Sequence, residues 1–168
     1  METLAQFHFQ TVHFPIALSF AAWLLMLVGV LGKKEKFFTS GRMVIYLASL
    51  GAIVAMSTGL MAEEYLPHSH AGEIHSIMEW HETLGITLTC GLAILSLLCF
   101  WESRKNNSKL RVAIVLLLLL NVGGIAFTGF LGGRLGHEFG IGIKKEQQQP
   151  IEQLKDGHEG HEHHNHSH

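Results

Sequence analysis

Charge is scarce in this sequence. Only 15% of its 168 residues are Asp, Glu, Lys or Arg, and the only aspartate is Asp156, close to the C-terminus. The formal net charge is −2 and no stripe of basic residues is present, which argues against nucleic-acid binding. The chain also lacks a Ser-His-Asp arrangement, a GxSxG motif and a phosphate loop. A hydrolytic enzyme is therefore poorly supported, and a role without catalysis is favoured.

Cysteine is equally rare. The two cysteines, Cys90 and Cys99, fall in one predicted helix, where nine residues of separation correspond to roughly 13 Å. That distance is too large for a disulfide between them. We interpret both as small buried apolar residues.

Long uncharged apolar runs make up most of the chain. The run that organises the sequence covers residues 6–31, and its part from Phe14 to Leu31 has the length needed to cross about 30 Å of hydrocarbon. Pro15 is expected in the first turn of this helix, where its missing N–H leaves no partner unsatisfied. Four membrane helices are predicted, over residues 14–31, 43–62, 84–101 and 112–131, the third beginning as a helix near Ala71.

The expected fold is therefore all-α. It is a polytopic transmembrane four-helix bundle (residues 1–145) in a lipid bilayer, followed by a disordered histidine-rich tail (residues 146–168). No positive charge precedes the first apolar run, so we expect no cleavable signal peptide and a retained first helix. The connections after the first and third helices hold eight of the 12 positive residues. By the positive-inside rule, both termini lie on the periplasmic side of a bacterial inner membrane.

All 13 histidines fall on the expected exported side. Seven lie in or near the bundle: His8, His13, His68, His70, His75, His81 and His137. Six belong to the tail: His158, His161, His163, His164, His166 and His168. The tail is a low-complexity tract whose imidazoles can chelate transition metals loosely.

Three stretches resemble one family of bacterial membrane proteins, domain-of-unknown-function family 2231. The first is HFPIAL at positions 13–18, and the second is the glycine pair before Arg134 with the later GIGI at 140–143. The third, a histidine opening helix three, is His75 or His81. The family's histidine before its last motif falls on Phe139, the nearest histidine being His137. The resemblance covers about residues 6–145 and implies four helices and a redox setting, since relatives are fused to cytochrome or iron–sulfur domains.

Imidazoles at one membrane face favour a b-type haem held between helices. His13 and His81 open the first and third spans at similar depth and are the leading axial ligands, with His75 next. Arg134 is a candidate partner for a propionate. A cytochrome or iron–sulfur protein would then be the redox partner.

Two alternatives stay open. The first is a zinc or copper site at the outer face. Its ligands would come from His8, His13, His75, His81, His137, Glu79 and the six tail histidines. The second is a cofactor-free structural subunit whose glycine-rich helices pack against a second copy of the chain or another membrane protein.

Overall fold

A computed structural model describes residues 2–63, 72–105 and 107–138, and these residues form four α-helices. They are α1 (Glu2–Leu31), α2 (Glu35–Glu63), α3 (Glu73–Lys105) and α4 (Ser108–His137). The predicted all-α four-helix bundle is confirmed. The tail, with its six histidines, lies outside the described residues, as do His68 and His70.

The helices stand in a ring in which each contacts two others. α1 packs against α2 and α4, and α3 packs against the same two, so α1 and α3 occupy opposite corners. The connections from α1 to α2 and from α3 to α4 are two to three residues long, which makes antiparallel hairpins of these pairs. We call the end where α1 and α3 begin the cavity end, and the opposite end the packed end.

Three helices begin earlier than predicted. α1 begins at Glu2 rather than Phe14, α2 at Glu35 rather than Met43, and α4 at Ser108 rather than Val112. The prediction followed hydropathy alone, whereas polar residues with good helix propensity extend each helix beyond its apolar part. At α4, the Asn107 side chain caps the new start by accepting a hydrogen bond of 3.0 Å from the backbone N–H of Lys109.

The longer α1 corrects the expected position of Pro15. It lies inside the helix rather than in its first turn. A proline there cannot donate the usual hydrogen bond to the carbonyl four residues earlier. The Ser19 hydroxyl donates to the Pro15 carbonyl over 2.7 Å, and both residues are buried.

The core is densest towards the packed end. A buried apolar cluster there draws on all four helices: Ala22, Met26, Phe38, Ile45, Ala52, Leu92, Leu95, Cys99, Ile114, Val115 and Leu118. Two glycines let α1 and α2 approach closely. A Cβ at Gly29 would lie 2.5 Å from the Phe38 nitrogen, and one at Gly41 would lie 2.6 Å from Cγ of Met26.

A buried ion cluster closes the packed end. Glu102 is fully buried and accepts hydrogen bonds from Arg42 over 3.3 Å and from Arg111 over 2.6 Å. Arg111 also forms a bidentate pair with Glu35. Glu102 directly follows the predicted third span, which ends at residue 101, and its two arginine partners allow the carboxylate to be buried.

The outer surface of the bundle is apolar. Large hydrophobic side chains from every helix are exposed, Leu31, Leu50, Leu97 and Leu120 among them. Each helix is long and apolar enough to cross a membrane.

Candidate functional site

A cavity of about 570 Å³ lies between the four helices at the cavity end. Its walls are apolar side chains and glycines over most of their area. The polar side chains that line it are few: His8, His13, His81, Glu82, Thr89, Thr128 and His137. A concave apolar space with a few polar groups is the usual form of a ligand site in a helical bundle.

His8 reaches the cavity from α1 and His81 from the opposite corner, α3. Their ring centroids are 6.5 Å apart, and the ring planes are nearly perpendicular, at 89°. They are the imidazoles that the fold brings together in the cavity. Because α1 and α3 occupy opposite corners of the ring, these two side chains meet across the gap between the two helices.

Each of these imidazoles is held by a neighbouring helix. Nδ1 of His8 lies 2.9 Å from the Ala55 carbonyl oxygen on α2, and Nδ1 of His81 lies 3.0 Å from that of Thr128 on α4. A carbonyl oxygen only accepts hydrogen bonds, so Nδ1 is the donor in both rings. In the neutral imidazole, Nε2 then keeps its lone pair and can bind a metal ion.

Glycines make the room that these rings occupy. A Cβ at Gly59 would lie 2.9 Å from Cε1 of His8, and one at Gly132 would lie 2.9 Å from Cε1 of His81. A Cβ at Gly85 or Gly133, which also line the cavity, would meet no atom within 4 Å. Gly59 and Gly132 therefore allow the imidazoles to pack closely against α2 and α4, whereas Gly85 and Gly133 leave empty space in the cavity.

His13 lies in a different position from the one predicted. It is exposed, although it also lines the cavity, and its Nδ1 lies 2.7 Å from the Phe9 carbonyl oxygen of its own helix. Because α1 continues through both histidines, His8 and His13 are separated by five helical residues, or about 140° around the axis. His8 is the one that meets His81.

Two further residues predicted at the site lie elsewhere. His75 is exposed and its Nε2 lies 3.4 Å from the carboxylate of Glu79, itself exposed. Neither residue lines the cavity. His75 lies six residues before His81, about one and two-thirds helical turns, and its side chain is exposed.

Arg134 does not line the cavity either. Its guanidinium pairs with Glu73 at 3.1 Å and with Glu138 at 2.8 Å. This pairing links α3 to the end of α4. The neighbouring guanidinium also lowers the pKa of Glu138 through its hydrogen bond.

The described part of the chain holds no group of three or more His, Cys, Asp or Glu side chains that could bind a metal ion together. A structural or catalytic zinc site needs at least three such ligands. A metal centre in the cavity would have to take its remaining ligands from somewhere else.

The pairing of His8 with His81 had a signal in the sequence. Each of these histidines is followed 51 residues later by a glycine, at Gly59 and Gly132. A comparison of the two halves of the chain at this spacing would have selected His8 over His13, because His13 has no glycine counterpart at that distance.

The protein-family comparison identifies one family. Its model, described as a predicted membrane protein (DUF2231), matches residues 5–145. No curated protein and no solved structure matches the chain. The match covers the whole bundle and, with its four apolar helices, makes the chain an integral multi-pass membrane protein. The chain belongs to the DUF2231 family of predicted membrane proteins.

Proposed function

We propose that this protein binds one b-type haem between His8 and His81 and serves as a redox accessory subunit in the membrane. The observation that carries the proposal is the meeting of these two imidazoles across the bundle, each with Nδ1 bonded to a carbonyl oxygen. Hydrogen bonds of this kind, made by the ring nitrogen that does not bind the metal, orient metal-ligating histidines and fix their tautomer.

The number of ligands fits a haem better than a bare ion. Two imidazoles alone do not complete the coordination of most metal ions, whereas a haem would need only two ligands from the protein, and His8 and His81 would supply them. An imidazole nitrogen binds a metal ion at about 2.0–2.1 Å, with the ring centre roughly 1.1 Å behind it, so two imidazoles that bind one metal ion between them would have centroids up to roughly 6 Å apart. The observed separation of 6.5 Å is close to this value.

The walls of the cavity also suit a flat apolar cofactor. Its volume lies within the range of about 300–1,000 Å³ that is usual for ligand pockets. Gly85 and Gly133 leave open space beside the imidazoles. Arg134 is already paired, so His13 and His137 at the cavity lining are better candidates to bind carboxylate substituents. Bound haem would supply reversible one-electron transfer at its iron.

The cavity end would then face the redox partner. Arg134 is the only lysine or arginine at this end among the described residues, whereas the packed end carries eight such residues. By the positive-inside rule the cavity end faces the periplasm of a bacterium whose inner membrane holds the protein. A periplasmic cytochrome or iron–sulfur protein is the proposed partner.

The test is an optical spectrum of the full chain, purified in detergent from cells supplied with a haem precursor. We expect a reduced-minus-oxidised difference spectrum with the bands of a low-spin b-type haem. His8→Ala and His81→Ala should each abolish the low-spin signal. His75→Ala is the matched control, because His75 is exposed and lies outside the cavity, and it should leave the spectrum unchanged. A wild-type protein without any b-type band would overturn the proposal.

Copper is the second candidate, for one reason. The thioethers of Met56 and Met78 line the same cavity as the two imidazoles. Sulfur and imidazole ligands together suit copper. Metal analysis of the same preparation, with the tail removed, separates the candidates: one copper per chain without haem favours copper, and one iron with haem favours the first proposal.

A further inference from the structure

The two hairpins of the bundle repeat each other at an offset of 73 residues. α2 begins at Glu35 and α4 at Ser108, which is 73 positions later. Buried positions in the first hairpin correspond to buried positions in the second at the same offset. Buried counterparts are Ala22 with Leu95, Met26 with Cys99, and Ile45 with Leu118. Few residues are identical between the halves, so the repeat is visible in the structure far more than in the sequence.

The groups around the cavity repeat at the same offset. Each hairpin supplies an imidazole, a carbonyl oxygen that accepts from its Nδ1, and a glycine against which the ring packs. These are His8, Ala55 and Gly59 in the first hairpin and His81, Thr128 and Gly132 in the second. From 8 to 81, from 55 to 128 and from 59 to 132 the offset is 73, and both hydrogen bonds span 47 residues.

We propose that the cavity is a duplicated site, made of two equivalent half-sites, and that it takes a ligand with two equivalent faces. A single metal centre with two opposite open coordination positions is such a ligand, with one position for Nε2 of each half-site. Because α1 and α3 run in the same direction, the pseudo-twofold axis runs along the bundle and passes between the imidazoles. The identity of the ligand rests on the proposed function; the equivalence of the half-sites does not.

Gly59 and Gly132 are the positioning residues of this arrangement. A Cβ at either one would lie 2.9 Å from Cε1 of the imidazole in its own half-site, closer than atoms in contact can stand. Substitution by alanine would therefore displace one ring and leave the other in place. Gly123→Ala is the matched control, since Gly123 does not line the cavity and its Cβ would meet no atom within 4 Å.

The first experiment needs no ligand. Histidine ring resonances of the full chain in detergent micelles report the tautomer of each imidazole, and His8→Ala and His81→Ala assign the two signals. We expect both rings to carry the proton on Nδ1. Gly59→Ala should shift only the His8 signals and Gly132→Ala only the His81 signals. Different tautomers in the two rings, or an equal response to Gly123→Ala, would overturn the equivalence.

The second experiment measures haem affinity by titration of the full-length variants. Gly59→Ala and Gly132→Ala should each weaken binding about 10–100-fold and by similar factors, because loss of the contacts that orient a ligating imidazole has an effect of this size. In a His8→Ala background Gly59→Ala should have no further effect, because the ring that it displaces is gone. A full effect in that background would show that the glycine acts through helix packing and would overturn its positioning role.

The two experiments separate two kinds of failure. If wild-type protein binds no haem but the ring resonances respond in matched pairs, the haem proposal fails and the duplicated site stands. If haem binds through His8 and His81 while the resonances differ between the half-sites, the duplication fails and the haem proposal stands.

Discussion

At the scale of single residues, the imidazoles of the cavity and the buried carboxylate of Glu102 lie at opposite ends of the bundle. Imidazoles gather at the cavity end, whereas Glu102 lies among arginines at the packed end. A carboxylate with no exposed surface is tolerated in an apolar bundle only when paired. We therefore assign Glu102 to stability, whereas the imidazoles belong to the proposed ligand site.

Replacing Glu102 by glutamine tests this assignment. The change removes the buried charge that the half-buried side chains of Arg42 and Arg111 share, and breaking a buried pair in this way costs about 3–5 kcal/mol. Unfolding by SDS in mixed micelles should begin at a clearly lower SDS fraction. Glu79→Gln is the control, because Glu79 is exposed, and its effect should stay below about 0.5 kcal/mol. Equal unfolding midpoints for the two variants would contradict the structural role.

Of the two imidazoles that meet in the cavity, the sequence puts forward His81 as a leading haem ligand and His8 only as a ligand of the alternative metal site. His81 was predicted as a ligand because it stands at the mouth of the third span, and it does line the cavity. His13 was preferred to His8 because the first helix was expected to begin at Phe14. The direction in which a side chain points depends on where its helix begins and on which helices surround it. Hydropathy alone predicts neither.

At the scale of helices, the number and order of elements followed from apolar runs, while their ends did not. Four uncharged stretches of membrane length predict four spans with little ambiguity. The polar turns at the starts of α1, α2 and α4 have no hydropathy signal, and their helicity comes from propensity, from capping by Asn107 and from packing between hairpins.

The close packing of α1 on α2 leads to a second prediction. Gly29→Ala and Gly41→Ala would each place a Cβ within 2.6 Å of atoms on the facing helix, so each should destabilise the protein by about 1–3 kcal/mol. Resistance to SDS unfolding measures this. Gly123→Ala provides the comparison, since its Cβ would meet open space, and it should be neutral or slightly stabilising. Destabilisation by Gly123→Ala of the same size would refute the packing explanation.

At the scale of the whole molecule, the distribution of charge predicts the orientation in the membrane. Single cysteines are introduced by His75→Cys at the cavity end and Lys34→Cys at the packed end, in a background with Cys90 and Cys99 replaced by serine. A membrane-impermeant maleimide should label the first in intact bacteria and the second only after permeabilisation. The reverse pattern would invert the proposed topology.

The histidine-rich tail supplies a fourth prediction. Deletion of residues 157–168, which lie outside the described part of the chain, should abolish weak binding of Ni²⁺ or Zn²⁺ to the purified protein. Resistance to SDS unfolding should be unchanged, because the four helices and their contacts lie within residues 2–138. A tail-deleted protein that no longer folds would contradict the division into a bundle and a tail.

The cavity is confined to one half of the bundle, and the tightly packed core and the Glu102 cluster lie between it and the other membrane surface. An electron that reaches and leaves the cavity from the same side of the membrane makes no net movement across the transmembrane voltage. A full crossing would involve about 2.3 kcal/mol per elementary charge for each 100 mV. A haem held by His8 and His81 would thus exchange electrons without conserving energy, and its turnover would be the same in energised and in uncoupled cells.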